Sequence, residues 1–172
     1  EIGDQELADA CRRCFDNICS RRMYITGGVG SSHLGEAFTV DYHLPNRTAY
    51  AETCAAIALA MFASRMQTLE ADGRYADTVE RAIYNGILSG ISLDGKSFFY
   101  ENPLSVDPTF NHVNVASSTK EHYPITERVE VFDCSCCPPN LVRFLPSVAG
   151  LAYSCSEDTL YVHQYMASRI CW

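Results

Sequence analysis

Residues 49–69, AYAETCAAIALAMFASRMQTL, read as one helix that is apolar nearly all round between Cys54 and Phe62. A helix with a single apolar stripe lies on a surface, whereas one apolar on every side must be buried among other elements. The segment therefore predicts a mainly α fold in which this helix is an interior member of a larger helical assembly. Its neighbours in sequence agree. Residues 4–23 place Leu7, Cys11, Phe15 (with Cys14) and Ile18 at helical spacing, with charges on the other face. Residues 75–88 carry Ala76, Val79, Ile83 and Ile87 on one face and end in Asn85-Gly86 and Ser89-Gly90 signals. The short Asp72-Gly73 turn makes that helix an antiparallel partner of the apolar one.

Further along, residues 91–100 read as a β-hairpin about Asp94-Gly95. Residues 105–127 are polar and turn-rich, a surface excursion in which His112 and His122 lack partners at metal-binding spacing. A short strand is expected over residues 128–132. A last helix begins at Pro138-Pro139, proline being tolerated in a first turn, and carries Leu141, Val142, Phe144, Leu145, Val148 and Leu151. Pro146 should kink or shorten it. The alternation of Leu160, Val162 and Gln164 with Tyr161, His163 and Tyr165 then reads as a strand.

The chain has 172 residues, enough to bury a sizeable core, and 47% hydrophobic with 20% charged residues excludes wholesale disorder. A net charge of -8 leaves no basic footprint for nucleic acid or an anionic membrane. A neutral substrate suits that balance better. The longest apolar segment, residues 55–63, falls far short of the roughly 20 residues that a membrane span needs. The acidic first residues do not read as a signal peptide. Nine irregularly spaced cysteines, an odd number, predict reduced thiols and a cytoplasmic location rather than a disulfide framework.

The chemistry concentrates at Asp133-Cys134-Ser135-Cys136-Cys137-Pro138-Pro139-Asn140. Adjacent cysteines pair with each other only under strain, and three thiols in four residues suit a soft metal or an activated nucleophile. Cys11 and Cys14 have the spacing of a redox pair but lie mid-helix, and with Cys19 they read as small core residues. Gly27, Gly28 and Gly30 resemble a phosphate loop, yet the stretch lacks both a Walker lysine and the final glycine of a dinucleotide fingerprint. A loop bending the chain past a pocket is the better reading. Glu36 just beyond it lies near Phe38, Tyr42 and His43; it reads locally as a solvated glutamate or, if buried, as a general acid of raised pKa. Glu52 and Cys54, two apart on a regular helix, would face about 200° away from each other, so joint ligation needs a non-helical first turn. Taken alone, Glu52 is a first-turn acid favoured by the helix dipole.

Together these pieces resemble glycoside hydrolase family 127, the bacterial β-L-arabinofuranosidases. The likeness runs through YITGGVGSSHLGEAF, DYHLPN, YAETCAAIA, YADTVERAIYNGILSGISLDGKSFFYENPL and CSCCPPN. It implies part of an (α/α)6-barrel catalytic domain over residues 1–155, and the first strand of a following β-sandwich over residues 156–172. It implies a zinc ion held by Glu52, Cys54, Cys136 and Cys137, with Cys136 also the nucleophile, Glu36 the acid/base and Tyr100 in the sugar pocket. The expected activity is retaining release of L-arabinose from small oligosaccharides or glycoconjugates, with no nucleic-acid or membrane partner and room for a homodimer in the full-length protein. Cys134 is not among the implied ligands. Family members run to several hundred residues, so the chain alone is expected to lack a complete pocket. Two other readings stand beside this one: a structural zinc module using the same four ligands, and a thiol redox protein using Cys136 and Cys137.

Overall fold

A computed structural model describes residues 3–106 and 125–171. Helix α1 (Gln5–Asn17) begins where the Asp4 carboxylate accepts a hydrogen bond from the Leu7 amide at 3.1 Å, an N-cap that satisfies one otherwise orphaned donor. It continues as a wider π-helical turn over Ile18–Arg22. Helix α2 (Thr53–Gln67) follows the long glycine-rich loop. Helix α3 (Gly73–Arg81) is capped by Asp72, whose Oδ1 accepts from the Arg74 amide at 2.9 Å. Helix α4 (Cys137–Phe144) carries proline in its first turn. Strands β1 (Tyr153–Cys155) and β2 (Leu160–Val162) pair antiparallel, with Ser154 opposite Tyr161. The described residues are thus mainly helical with one small sheet.

Helix α2 is the centre, as its composition predicts. Ala56, Ile57, Ala60, Ala63 and Met66 are each at most 1% exposed, and the alanines let neighbouring helices approach closely. From α1, the Phe15 ring meets Phe62 and Tyr75 edge-on at centroid distances of 5.9 and 4.7 Å. Such aromatic pairs add about 0.5–1.5 kcal/mol each beyond area burial. Tyr75 and Val79 of α3, Ile83 and Ile87 beyond it, and Leu141 and Phe144 of α4 complete the core. Because α2 and α4 are anchored in one core, their N-terminal ends are fixed relative to each other.

Several expectations need correction. Leu7 is 55% exposed and Cys14 is exposed, so of the α1 cysteines only Cys11, with Cys19 just past the helix, packs against the core. Helical hydrogen bonding over residues 75–88 changes type: the α-helix stops at Arg81, a π-helical stretch spans Ala82–Ile87 and a 3-10 turn Leu88–Gly90. Residues 128–132 form no strand. Only Val129 pairs, exchanging backbone hydrogen bonds with Phe98 at 2.8 and 3.0 Å, while the Arg128 guanidinium lies over the Phe99 ring and donates to the Ser89 carbonyl. The turn at Asp94-Gly95 forms, with the Ser92 amide donating to the Ser97 carbonyl at 2.8 Å and the Phe99 amide to the Gly90 carbonyl at 3.0 Å, but its arms form a single β-bridge, Ile91 with Phe98. The α-helix from Cys137 stops at Phe144 and gives way to 3-10 turns holding Pro146, the expected shortening. Beyond Val162 the amides of His163 and Gln164 both turn to the Ala152 carbonyl, which ends the strand predicted to run to Tyr165. His112 and His122 lie outside the described residues.

Gly27 is required where the glycine loop meets the π-helical stretch. Its φ is 82°, and a Cβ there would lie 2.8 Å from the Ala82 backbone nitrogen and 2.9 Å from its Cα. Neither contact can be relieved by a side-chain rotation. Gly27→Ala is expected to cost about 2–4 kcal/mol through overpacking and left-handed strain, read as a lowered midpoint in denaturant titration. A change below the error of that titration would show that the loop is free to move off the helix. Among the described residues, no helix is long and apolar enough to cross a membrane.

Candidate metal and active site

Two helix N-termini meet at one place. Glu52 is the N-cap of α2 and Cys54 lies in its first turn, while Cys136 is the N-cap of α4 and Cys137 opens it. Glu52 has φ -60° and ψ 138°, an extended conformation, so the regular-helix geometry that would separate Glu52 from Cys54 does not apply. Neither N-cap side chain makes a capping hydrogen bond to its own helix. Both turn instead toward the shared centre, where the four donor atoms lie within 4.8 Å of one another.

The Cys136 sulfur lies 3.7 Å from both the Cys54 and the Cys137 sulfur, far beyond a disulfide bond. Glu52 Oε1 is 3.2 Å from Cys137 Sγ and 3.5 Å from Cys136 Sγ. In a tetrahedral metal–thiolate centre with bonds of about 2.3 Å, sulfur–sulfur edges are about 3.8 Å and sulfur–oxygen edges about 3.5 Å. The observed spacings fit those edges, and three soft sulfurs with one carboxylate are a donor set for a soft or borderline cation. Burial grades across the quartet: Cys137 is 1% and Glu52 8% exposed, Cys54 is half-buried and Cys136 is exposed.

Electrostatics point the same way. Burial pushes the Cys136 thiol up to about 11, with the Tyr100 hydroxyl opposing, and burial pushes Cys137 up further. Thiols in that state are neutral and poor nucleophiles at neutral pH. A cation at their centre reverses this by holding them as thiolates, and the positive ends of α2 and α4 act in the same direction.

Tyr100 sits at the exposed corner. Its hydroxyl is 3.1 Å from Cys136 Sγ, 3.4 Å from Glu36 Oε1 and 3.9 Å from Cys134 Sγ. The Phe132 ring packs edge-on against it at 5.7 Å, and its carbonyl accepts from the Thr53 amide at 2.9 Å, tying it to the start of α2. Glu36 is carried on a tight turn in which Ser32 and Ala37 exchange backbone hydrogen bonds, and its φ of 49° places a non-glycine residue in a sparsely populated region. Among the described residues Glu36 is exposed. Its aromatic partners are not the sequence neighbours Phe38, Tyr42 and His43 but Tyr100 and Tyr50, whose hydroxyl donates to Glu36 Oε1 at 2.9 Å.

Tyr50 was not singled out by sequence; only its place two residues before Glu52 could have pointed to it. Two amides of the glycine loop are turned inward, that of Gly27 donating to the Tyr24 carbonyl and that of Gly28 to Thr26 Oγ1. The quartet's open side faces a shallow depression of ≈ 460 Å³ lined by Cys54, Cys136, Pro139, Asn140 and Arg143.

Glu36 thus lies beside a cluster of one carboxylate and three thiols that could hold a metal ion. Residues 1–150 match the β-L-arabinofuranosidase GH127 catalytic domain, and the chain belongs to that family. It is 44% identical over 169 residues to the non-reducing end β-L-arabinofuranosidase of Bifidobacterium longum subsp. longum, an alignment covering 97% of this chain and 25% of that one. The structure superposes on a GH127 β-L-arabinofuranosidase from Geobacillus stearothermophilus T6 with a TM-score of 0.87 at 50% identity, covering 95% of this chain and 25% of the other. A second GH127 β-arabinofuranosidase gives 0.83 at 44% identity, over 95% and 23%. The chain therefore spans about a quarter of the length of the relatives it matches.

Proposed function

We propose that the protein containing this chain is a retaining β-L-arabinofuranosidase in which Cys136 is the nucleophile and Glu36 the acid/base, with zinc held by Glu52, Cys54, Cys136 and Cys137. One observation carries the reading: a carboxylate and an exposed sulfur share the Tyr100 hydroxyl. The 3.4 Å and 3.1 Å legs cannot leave Glu36 Oε1 and Cys136 Sγ more than 6.5 Å apart. Retaining glycosidases set their two groups about 5–5.5 Å apart, whereas inverting ones leave about 6.5–9.5 Å for a water between them. The short separation favours direct attack by the protein.

Zinc, when bound, would lower the thiol pKa so that Cys136 is held as thiolate without a histidine base. Cys136 attacks the anomeric carbon while Glu36 gives its proton to the departing glycosidic oxygen, leaving the sugar on sulfur and Glu36 as carboxylate. Glu36 then takes a proton from water, whose oxygen displaces the Cys136 sulfur and returns it as thiolate. Two displacements at one carbon restore the original configuration. Tyr100 donates where negative charge grows and shrinks on sulfur. The Tyr100 hydroxyl shared by Glu36 and Cys136 favours this reading over a purely structural metal centre, which needs neither partner. The four helices fit the proposal as part of an (α/α)6 barrel, with the β1–β2 hairpin at the start of a sandwich region. Nine free thiols suit a reducing, cytoplasmic setting.

The test is hydrolysis of a chromogenic β-L-arabinofuranoside by the full-length protein, with product configuration followed by NMR and zinc measured in protein purified without added metal. Retained configuration, about one zinc per chain and loss of turnover on iodoacetamide treatment are expected. An inverted product would remove Cys136 as nucleophile. A metal-free, readily oxidised protein would instead favour a thiol redox role.

A further inference from the structure

We infer that Asn102 is a positioning residue that sets metal affinity by clamping Ala51 in a left-handed conformation and so aiming Glu52 at the thiols; this rests on Glu52 being a metal ligand. Ala51 has φ 39°, a region that L-residues other than glycine rarely adopt, and it is 1% exposed. It directly precedes Glu52. A rare backbone conformation persists only when its surroundings over-determine it.

The surroundings here are specific. Asn102 Nδ2 donates to the Ala51 carbonyl at 3.1 Å and to Thr53 Oγ1 at 3.0 Å, spanning the residues on both sides of Glu52. The Asn102 amide donates toward the Tyr50 and Ala51 carbonyls at 3.2 Å each. On the other side the Ala51 amide donates to the Gly30 carbonyl at 2.8 Å. The clamp itself is oriented, because Ser89 Oγ donates to Asn102 Oδ1 at 3.0 Å and thereby fixes which end of the amide faces Ala51. Thr53 is fully buried and gives its hydroxyl proton to the Phe99 carbonyl, so its oxygen is left to accept from Asn102. No atom of Asn102 needs to touch the metal for its loss to move Glu52. Without the side-chain amide the Ala51 carbonyl keeps only the shared bond from the Asn102 backbone amide and Thr53 Oγ1 loses its donor, so residue 51 can relax toward negative φ, which swings the next residue's side chain away from the sulfurs.

Glycine at position 51 adopts positive φ without penalty, so the clamp should matter only while residue 51 has a side chain. The experiment measures zinc affinity of the full-length protein by competition with a chromogenic chelator, with thermal midpoints recorded alongside. Asn102→Ala is expected to weaken zinc binding about 10- to 100-fold, the usual effect of losing a group that orients a ligand. Ala51→Gly alone should bind zinc within about threefold of the parent, and the double variant should recover most of the affinity that Asn102→Ala loses. Ser89→Ala, which only frees the amide to rotate, should weaken binding severalfold and keeps the test open if Asn102→Ala does not fold. Unchanged affinity in both Asn102→Ala and Ser89→Ala, or a double variant no better than Asn102→Ala, would overturn the proposal. A lowered thermal midpoint with native zinc affinity would also overturn it, leaving Asn102 a purely structural residue. Glu52→Ala is the control: if it binds zinc as the parent does, Glu52 is no ligand and the site assignment fails first, taking the clamp with it.

Discussion

Cys136→Ser is expected to lower turnover of an arabinofuranoside by roughly 10⁴-fold or more, in line with nucleophile removal in enzymes whose catalytic groups act as a unit. Oxygen is a harder and far more basic donor than sulfur, so a serine hydroxyl at this corner stays protonated where a thiolate would form. It is also too short to keep the spacing of 3.7 Å to the Cys54 and Cys137 sulfurs. The buried members of the quartet, Glu52 and Cys137, lie only 3.2 Å apart and keep their places, so zinc should be weakened rather than lost. Steady-state kinetics with zinc content measured on the same sample separates the two effects. Turnover within tenfold of the parent at full zinc occupancy would exclude Cys136 as the attacking atom.

For Glu36→Gln the expected fall is about 10²–10⁴-fold, the usual range for a positioned acid/base. Its signature lies in which step suffers. A nitrophenolate leaves without a proton, so with such a substrate the first displacement should survive and the second should slow. The variant should then release one equivalent of nitrophenol in a burst and hold the sugar on Cys136, visible as the added mass of one pentosyl group. Glutamine still accepts the hydrogen bonds from Tyr50 and Tyr100, so the loop should keep its place. A uniform loss with no burst would mean that Glu36 positions the substrate instead of moving protons.

The helical character of the chain was legible because burial leaves a composition signal: residues 55–63 are apolar nearly all round and α2 is the helix around which the others pack, although Ala58 and Met61 are exposed among the described residues. The Cys136–Cys137 pair was legible as a metal or nucleophile site for a local reason, adjacency. Glu52 and Cys54 were harder. Their spacing argued against joint ligation as long as both were assumed helical, and the contradiction disappears only because Glu52 caps the helix with extended backbone. The resemblance supplied that pairing; local reasoning did not. The π-helical stretch after Arg81 was not read from the sequence, and the glycine loop packed against it lies more than fifty positions away. Strand β1 escaped because three residues, Tyr-Ser-Cys, carry too little alternation to be seen. Tyr50 and Asn102 escaped for a different reason. Each acts through partners that only the folded chain brings near, Glu36 in one case and Ala51 with Thr53 in the other.

The N-terminal ends of α2 and α4 are where serine, threonine, aspartate or asparagine would ordinarily sit, contributing about 1 kcal/mol each by bonding to the first free amides. Here Glu52 and Cys136 occupy those positions and make no capping hydrogen bond. The chain thus forgoes local helix stability at the two points where its proposed metal donors emerge. Selection for thermal resistance alone would draw position 52 toward a short capping residue, and the most easily stabilised variants of the metal-free protein would be those that can no longer hold the ion. A screen for robustness in this family therefore needs metal retention as a second readout, because its first successes at these helix ends would be failures of function.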